Sequence, residues 1–91
     1  MTFSVYILYS ETFNKYYTGQ TSDLQARLKT HNKGQNRSTK RYMPWKIFAY
    51  KEVSSSSEAM ELETKLKNLR SLIKMMEFIK RNEFVIVEGR E

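Results

Sequence analysis

Cysteine is absent from these 91 residues, and histidine occurs once, at His31. The first absence excludes a disulfide framework and a thiolate zinc site, and the second excludes a metal centre built on several imidazoles. No apolar run approaches the ~18 residues of a membrane span. The opening segment MTFSVYILYS lacks the basic lead and small-residue cleavage site of an export signal, so a cytoplasmic protein without a membrane association is expected. Internal repeats and linkers are also missing, and the length suits one domain with a single core.

What the chain has in excess is positive charge. Sixteen Lys and Arg against ten Asp and Glu give a formal +6 and a pI near 9.7. Such a field favours polyanions, nucleic acid first among them, although the same excess also serves solubility. Part of it is concentrated in one polar, aperiodic loop, where Lys33, Arg37, Lys40 and Arg41 are the candidates for contacts to backbone phosphates.

Residues 3–9, FSVYILY, carry the β-branched and aromatic residues of a strand, and the polar SETFNK after them predicts a hairpin returning over Lys15 to Gly19. Ser22 with Gln25 predicts a capping box opening a helix, Asp23 lies in its first turn, and Gly34 is placed to end it. After Pro44, WKIFAYKEV alternates as a third strand. The serine run then supplies a second capping box, Ser55 with Glu58, and Ala59, Leu62, Leu66, Leu69, Ile73 and Met76 mark a buried helix face with a bend or break near Arg70 and Ser71. Residues 84–88 are compatible with a short strand or a tail. The expectation is an α+β fold: a small, mainly antiparallel three-stranded sheet flanked by helices in the order β-β-α-β-α-α, with residues 1–82 as the domain and 83–91 as a C-terminal tail or extra strand.

Several polar residues sit where packing would prefer leucine. At 100° per residue, Leu24, Arg27, Leu28 and His31 share about one 100° sector, so Arg27 and His31 border the sheet-facing side of their helix. On the later helix Glu63 flanks the apolar stripe, with Lys67 one turn on as its ordinary i+4 partner. Tyr6 and Tyr17 lie on the two hairpin strands, and because strand side chains alternate, Tyr16 faces away from Tyr17. Each residue has an ordinary packing role open to it. Together, two phenols, an arginine, a histidine and a carboxylate in a basic domain suffice for phosphodiester cleavage.

These residues carry a resemblance to the GIY-YIG nuclease domain, most closely its small stand-alone branch. The first motif is present as Ser4-Val5-Tyr6 and the second as Tyr17-Thr18-Gly19. The helix that follows is similar to S-x-x-L-x-x-R-L-x-x-H over Ser22 to His31, apart from the offset of the serine. Pro44-Trp45-Lys46 resembles the lead into the third strand, and Glu58-Ala59 through Glu63 to Lys67 resembles E-A-x-x-x-E-x-x-x-K. Two departures are Ser4 in place of the first motif's glycine and Met75 near the position where several members carry an asparagine.

The resemblance implies a divalent-metal-dependent DNA endonuclease, structure-selective or weakly sequence-specific, using Mg²⁺ or Mn²⁺. Tyr6 then corresponds to the tyrosine that activates water, and Tyr17 to the one that orients water or phosphate. Arg27 corresponds to the arginine that stabilises the pentacovalent phosphate, His31 to an auxiliary base or phosphate contact, and Glu63 to the metal-ligating carboxylate. Lys67 joins the loop cations as a nucleic-acid contact. DNA stands ahead of RNA as the partner, and a protein partner could supply specificity. The competing reading is a catalytically inactive nucleic-acid-binding module, or a protein-interaction adaptor retaining the fold.

Overall fold

A computed structural model of the chain describes residues 2–87. Residues 88–91, the end of the expected tail, lie outside the described residues. The elements run β1 (Phe3–Ser10), β2 (Lys15–Thr21), α1 (Leu24–Asn32), a 3₁₀ turn (Lys40–Tyr42), β3 (Lys46–Val53), α2 (Ser56–Lys67), α3 (Leu72–Arg81) and β4 (Val85–Ile86). Among the described residues no helix is long and apolar enough to cross a membrane.

The sheet is antiparallel with strand order β2-β1-β3-β4. It has four strands and not the expected three, because the chain turns back after α3 and pairs Val85 and Ile86 with Tyr50 and Ala49. β1 is buried along nearly its whole length, since it has a strand on each side and helices over both faces. Its alternation therefore divides the protein into two apolar layers. Val5, Ile7 and Tyr9 point into a core shared with Phe48, Ala59, Leu62, Leu66 and Ile79, under α2 and α3. Tyr6 and Leu8 point the other way, into a second core with Trp45, Tyr17, Leu24 and Leu28, under α1.

The register between β1 and β3 shifts after Ile7, which pairs with Ala49, whereas Leu8 pairs with Ile47. Phe48 is the extra residue of this bulge. Its carbonyl accepts a hydrogen bond from Val87 N–H at 3.0 Å, extending the contact with the returning chain.

Three local expectations are corrected. β2 does not end at Gly19 but continues to Thr21. Gly19 lies opposite Tyr6 in the ladder, and a Cβ there would lie 2.5 Å from the Tyr6 hydroxyl and 2.7 Å from Cζ. The glycine makes room for the Tyr6 ring; it does not terminate a strand. The N-cap of α1 is Asp23, whose carboxylate accepts from Ala26 N–H at 3.1 Å, so the helix starts one residue later than a Ser22 cap would start it. Ile73 is 72 % exposed and not part of the buried stripe. The break between α2 and α3 resets the helical phase, with Ser71 capping α3, so the spacing from Leu66 no longer predicts a face.

Gly34, with φ +75°, follows the α1 C-cap Lys33 and occupies the left-handed position that favours glycine. Ser55 caps α2 by accepting from Glu58 N–H at 3.1 Å.

Gly19→Ala should lower unfolding free energy by about 1–3 kcal/mol, the usual cost of overpacking a filled site, read from urea denaturation. A variant of wild-type stability would mean that the Tyr6 ring yields without cost.

Candidate active site

Tyr6 is buried beneath α1, and its hydroxyl lies 3.2 Å from Nε2 of His31. His31 lies in the last turn of α1 and is 0 % exposed. Its Nδ1 lies 2.7 Å from the hydroxyl of Thr39, which is itself directed at the Asn36 carbonyl at 3.4 Å. A hydroxyl donating to a carbonyl must accept at its oxygen, so the network assigns the imidazole proton to Nδ1. Nε2 is then the acceptor for the Tyr6 O–H. The buried chain runs Tyr6 to His31 to Thr39 to the Asn36 carbonyl, and each group except the last donates onward.

Burial and the Arg27 charge lower the His31 pKa, so the ring is neutral at neutral pH. Burial foremost raises the Tyr6 phenol to about 12; Tyr17 and Glu63 add to the rise and Arg27 opposes it. The phenol is a hydrogen-bond donor at rest, and the neutral imidazole is placed to receive its proton.

Tyr17 completes the aromatic part of the cluster. Its ring centroid is 5.0 Å from His31 and 6.5 Å from Tyr6. Tyr16, one residue earlier, packs on the opposite face against Tyr9 and Phe48. Alternation along β2 thus separates the adjacent tyrosines, and only Tyr17 lies on the Tyr6 side.

Arg27, expected to border the sheet-facing side of α1, is exposed, while Leu24 and Leu28 take the packing contacts. Its long side chain keeps the guanidinium in water, yet the charge still acts on both Tyr6 and His31. No ion pair engages it among the described residues.

Glu63 reaches the cluster from the other layer. α2 packs with the Val5 and Ile7 core, and Glu63 accepts from Gln20 Nε2 of edge strand β2 at 2.9 Å. Its second oxygen is 2.8 Å from Lys67 Nζ. The carboxylate side chain is 17 % exposed while the lysine is largely in solvent, and the ion pair raises the Lys67 pKa. Among the described residues no three His, Asp or Glu side chains group to enclose a metal. A single carboxylate held in place by an amide fits a hard cation such as Mg²⁺, which keeps several waters and takes other oxygens from its substrate. It does not fit a transition metal needing a nitrogen or sulfur cage.

Lys33, Arg37, Lys40 and Arg41 are all exposed. The loop that carries them is more ordered than a polar aperiodic stretch predicts. Thr39 is buried against His31, its carbonyl accepts from the Trp45 indole N–H at 2.9 Å, and Lys40–Tyr42 forms the 3₁₀ turn. Asn32 closes the loop: its Nδ2 donates to Trp45 C=O at 2.9 Å, and Trp45 N–H donates to its Oδ1 at 2.6 Å. Thr39, Asn32 and Gln20 are not legible in the sequence, because isolated polar residues in loops, helix ends and edge strands carry no periodic signal. Their roles depend on partners 8, 13 and 43 positions away.

The GIY-YIG catalytic domain model matches residues 2–77. Among curated proteins, a UPF0213 protein of Bacillus velezensis is 39 % identical over 57 residues, which are 62 % of this chain and 58 % of that protein. The match thus spans little more than half the length of that relative. Among solved structures, the solution NMR structure of a UPF0213 protein from Bacillus halodurans superposes with a TM-score of 0.55 at 32 % identity, covering 89 % of this chain and 85 % of that one.

Two measurements test the buried chain. Thr39→Val strands the His31 Nδ1–H and should cost about 1–3 kcal/mol of stability, with Thr39→Ser restoring it and ¹⁵N shifts of His31 losing the single-tautomer signature in the valine variant. The pH dependence has a definite sign, because folding favours the neutral ring. Above the unfolded-state pKa near ~6.5 both states are neutral and this contribution is fully present. As pH falls through that value toward the lower native pKa, only the unfolded chain gains the proton and stability is lost. His31→Gln should flatten that part of the stability profile; an unchanged slope would mean His31 is not held neutral.

Proposed function

The chain belongs to the GIY-YIG catalytic domain family, and from that premise we propose that it is a divalent-metal-dependent endonuclease hydrolysing DNA phosphodiesters. The observation that carries this reading is the Tyr6 hydroxyl: it is hydrogen-bonded to a neutral imidazole, and the Arg27 and Glu63 charges both act on it. Residues of β1, β2, α1 and α2 supply the groups that the chemistry requires.

Water attacks phosphorus and loses a proton to the Tyr6 oxygen as the Tyr6 proton passes to His31 Nε2. The new P–O bond forms while the bond to the leaving sugar oxygen breaks, and that oxygen takes a proton from solvent. The chain from Tyr6 to Thr39 makes a phenol with a pKa near 12 serviceable as a base, since the phenol need never exist as a free phenolate. Thr39 keeps Nε2 open for the transfer. Arg27 balances charge on the pentacovalent phosphate, and its freedom from ion pairs among the described residues leaves it available. Tyr17 orients the water or a phosphate oxygen. A divalent cation bound through Glu63 would supply further stabilisation of developing charge. Lys67, on the same carboxylate, moves to a backbone phosphate when the site fills, and Lys33, Arg37, Lys40 and Arg41 hold the strand on either side. Such contacts give affinity with little sequence information, so selectivity rests on nucleic-acid structure or on a protein partner.

The test is cleavage of branched, flapped and linear DNA in Mg²⁺ or Mn²⁺ by wild type, Glu63→Ala and Arg27→Ala. Wild type should cut, and both variants should lose cutting by about 10²-fold or more, the scale of removing one electrostatic stabiliser. Arg27→Ala should melt as wild type does, because its side chain is exposed. Binding without cleavage by wild type on every substrate would instead support the inactive binding module. Absence of binding at low salt would support the adaptor.

A further inference from the structure

An exposed phenylalanine on a hairpin turn is poorly placed for packing. Phe13 lies between β1 and β2 and is 46 % exposed. The turn around it is held: Asn14 closes it at φ 53°, the Tyr9 hydroxyl donates to the Asn14 side chain at 3.4 Å, and Glu11 pairs with Lys46 at 3.1 Å. Phe13 therefore has a defined position without a full apolar cover.

Its neighbour is the last residue of the 3₁₀ turn. The Phe13 and Tyr42 rings are 5.5 Å apart in an edge arrangement. Lys15 Nζ lies 5.4 Å and the Arg41 guanidinium 5.8 Å from the Tyr42 centroid. From Tyr42 the row continues inward to Trp45 at 6.5 Å and from Trp45 to Tyr17 at 6.3 Å. One line of rings, flanked by cations, thus leads from solvent to the side chain beside the Tyr6–His31 pair.

We propose that Phe13 and Tyr42, with Lys15 and Arg41, form a stacking site for an unpaired nucleobase, so that the substrate is nucleic acid with a single-stranded segment adjoining the cut. Aromatic side chains set among cations along a backbone track are how single strands are bound, because every base has a face to stack and every linkage a phosphate to pair. An intact duplex offers no free base face, so only its phosphates would engage the cations here. Stacking is common to DNA and RNA, and matched deoxy- and ribo-oligonucleotides separate the two. This inference rests on the nuclease reading of the adjoining site and narrows its substrate.

Binding of the full chain is measured by fluorescence anisotropy at low salt with EDTA, using a labelled single-stranded oligonucleotide and its blunt duplex. Phe13→Ala should weaken single-strand binding by about tenfold or more, change duplex binding by less than about twofold, and melt as wild type does; Phe13→Tyr should keep wild-type affinity. Equal losses on both ligands, no loss on the single strand, or failure of tyrosine to substitute would each overturn the stacking site. Wild type that cleaves while Phe13→Ala binds normally would overturn this inference alone. Wild type that binds neither ligand would overturn the nuclease reading with it.

Discussion

A phenol buried under a helix must find an acceptor, or its burial costs more than its ring contributes. Tyr6 meets that demand with His31, and much of the architecture is arranged around the pair. Gly19 leaves room for the ring on one side, and Thr39 holds the imidazole on the other. Because Thr39 belongs to the basic loop, that loop is pinned to the end of α1, and Asn32 pins it again through the Trp45 backbone. One buried polar chain therefore joins the hairpin, the helix and the loop. Among the described residues no buried side-chain nitrogen or oxygen is left without a partner.

The same chain couples stability to chemistry. Burial raises the phenol pKa and lowers that of the imidazole, so both groups rest neutral, with the proton on Tyr6 and Nε2 free to accept its hydrogen bond. The groups carrying full charge remain toward water or edge: Arg27 and Lys67 are exposed, and Glu63 sits at the border of β2. This division is economical in physical terms, since ions kept near solvent avoid most of the desolvation that a buried pair would suffer. The cations therefore stay at the surface, while the neutral groups are fixed in the interior.

The two cores explain how one carboxylate can come from the far side of the sheet. α1 covers the Tyr6 face and α2 the Val5 face, so Glu63 must act past edge strand β2, where Gln20 steadies it. An edge strand thus serves as the seam of the candidate site. The chain belongs to the GIY-YIG family; the seam accounts for how charges from opposite layers act on the one Tyr6 hydroxyl.

The alternation of β1, the Ser55 cap of α2 and the short periods of the chain are local properties, so the order of elements through α3 and the facing of Tyr17 against Tyr16 follow from the amino acids alone. The helical break near Arg70 is legible too, but the phase after it is not, which is why Ile73 reads as buried and is exposed. Arg27 shows the limit of angular reasoning: its sector is right, but length and charge carry its end to water. The fourth strand, the reason for Gly19 and the roles of Thr39, Asn32 and Gln20 arise only when distant segments meet. Spacing specifies a face of an element, whereas a hydrogen-bond partner or a methyl-sized gap belongs to two elements at once and exists only after they pack.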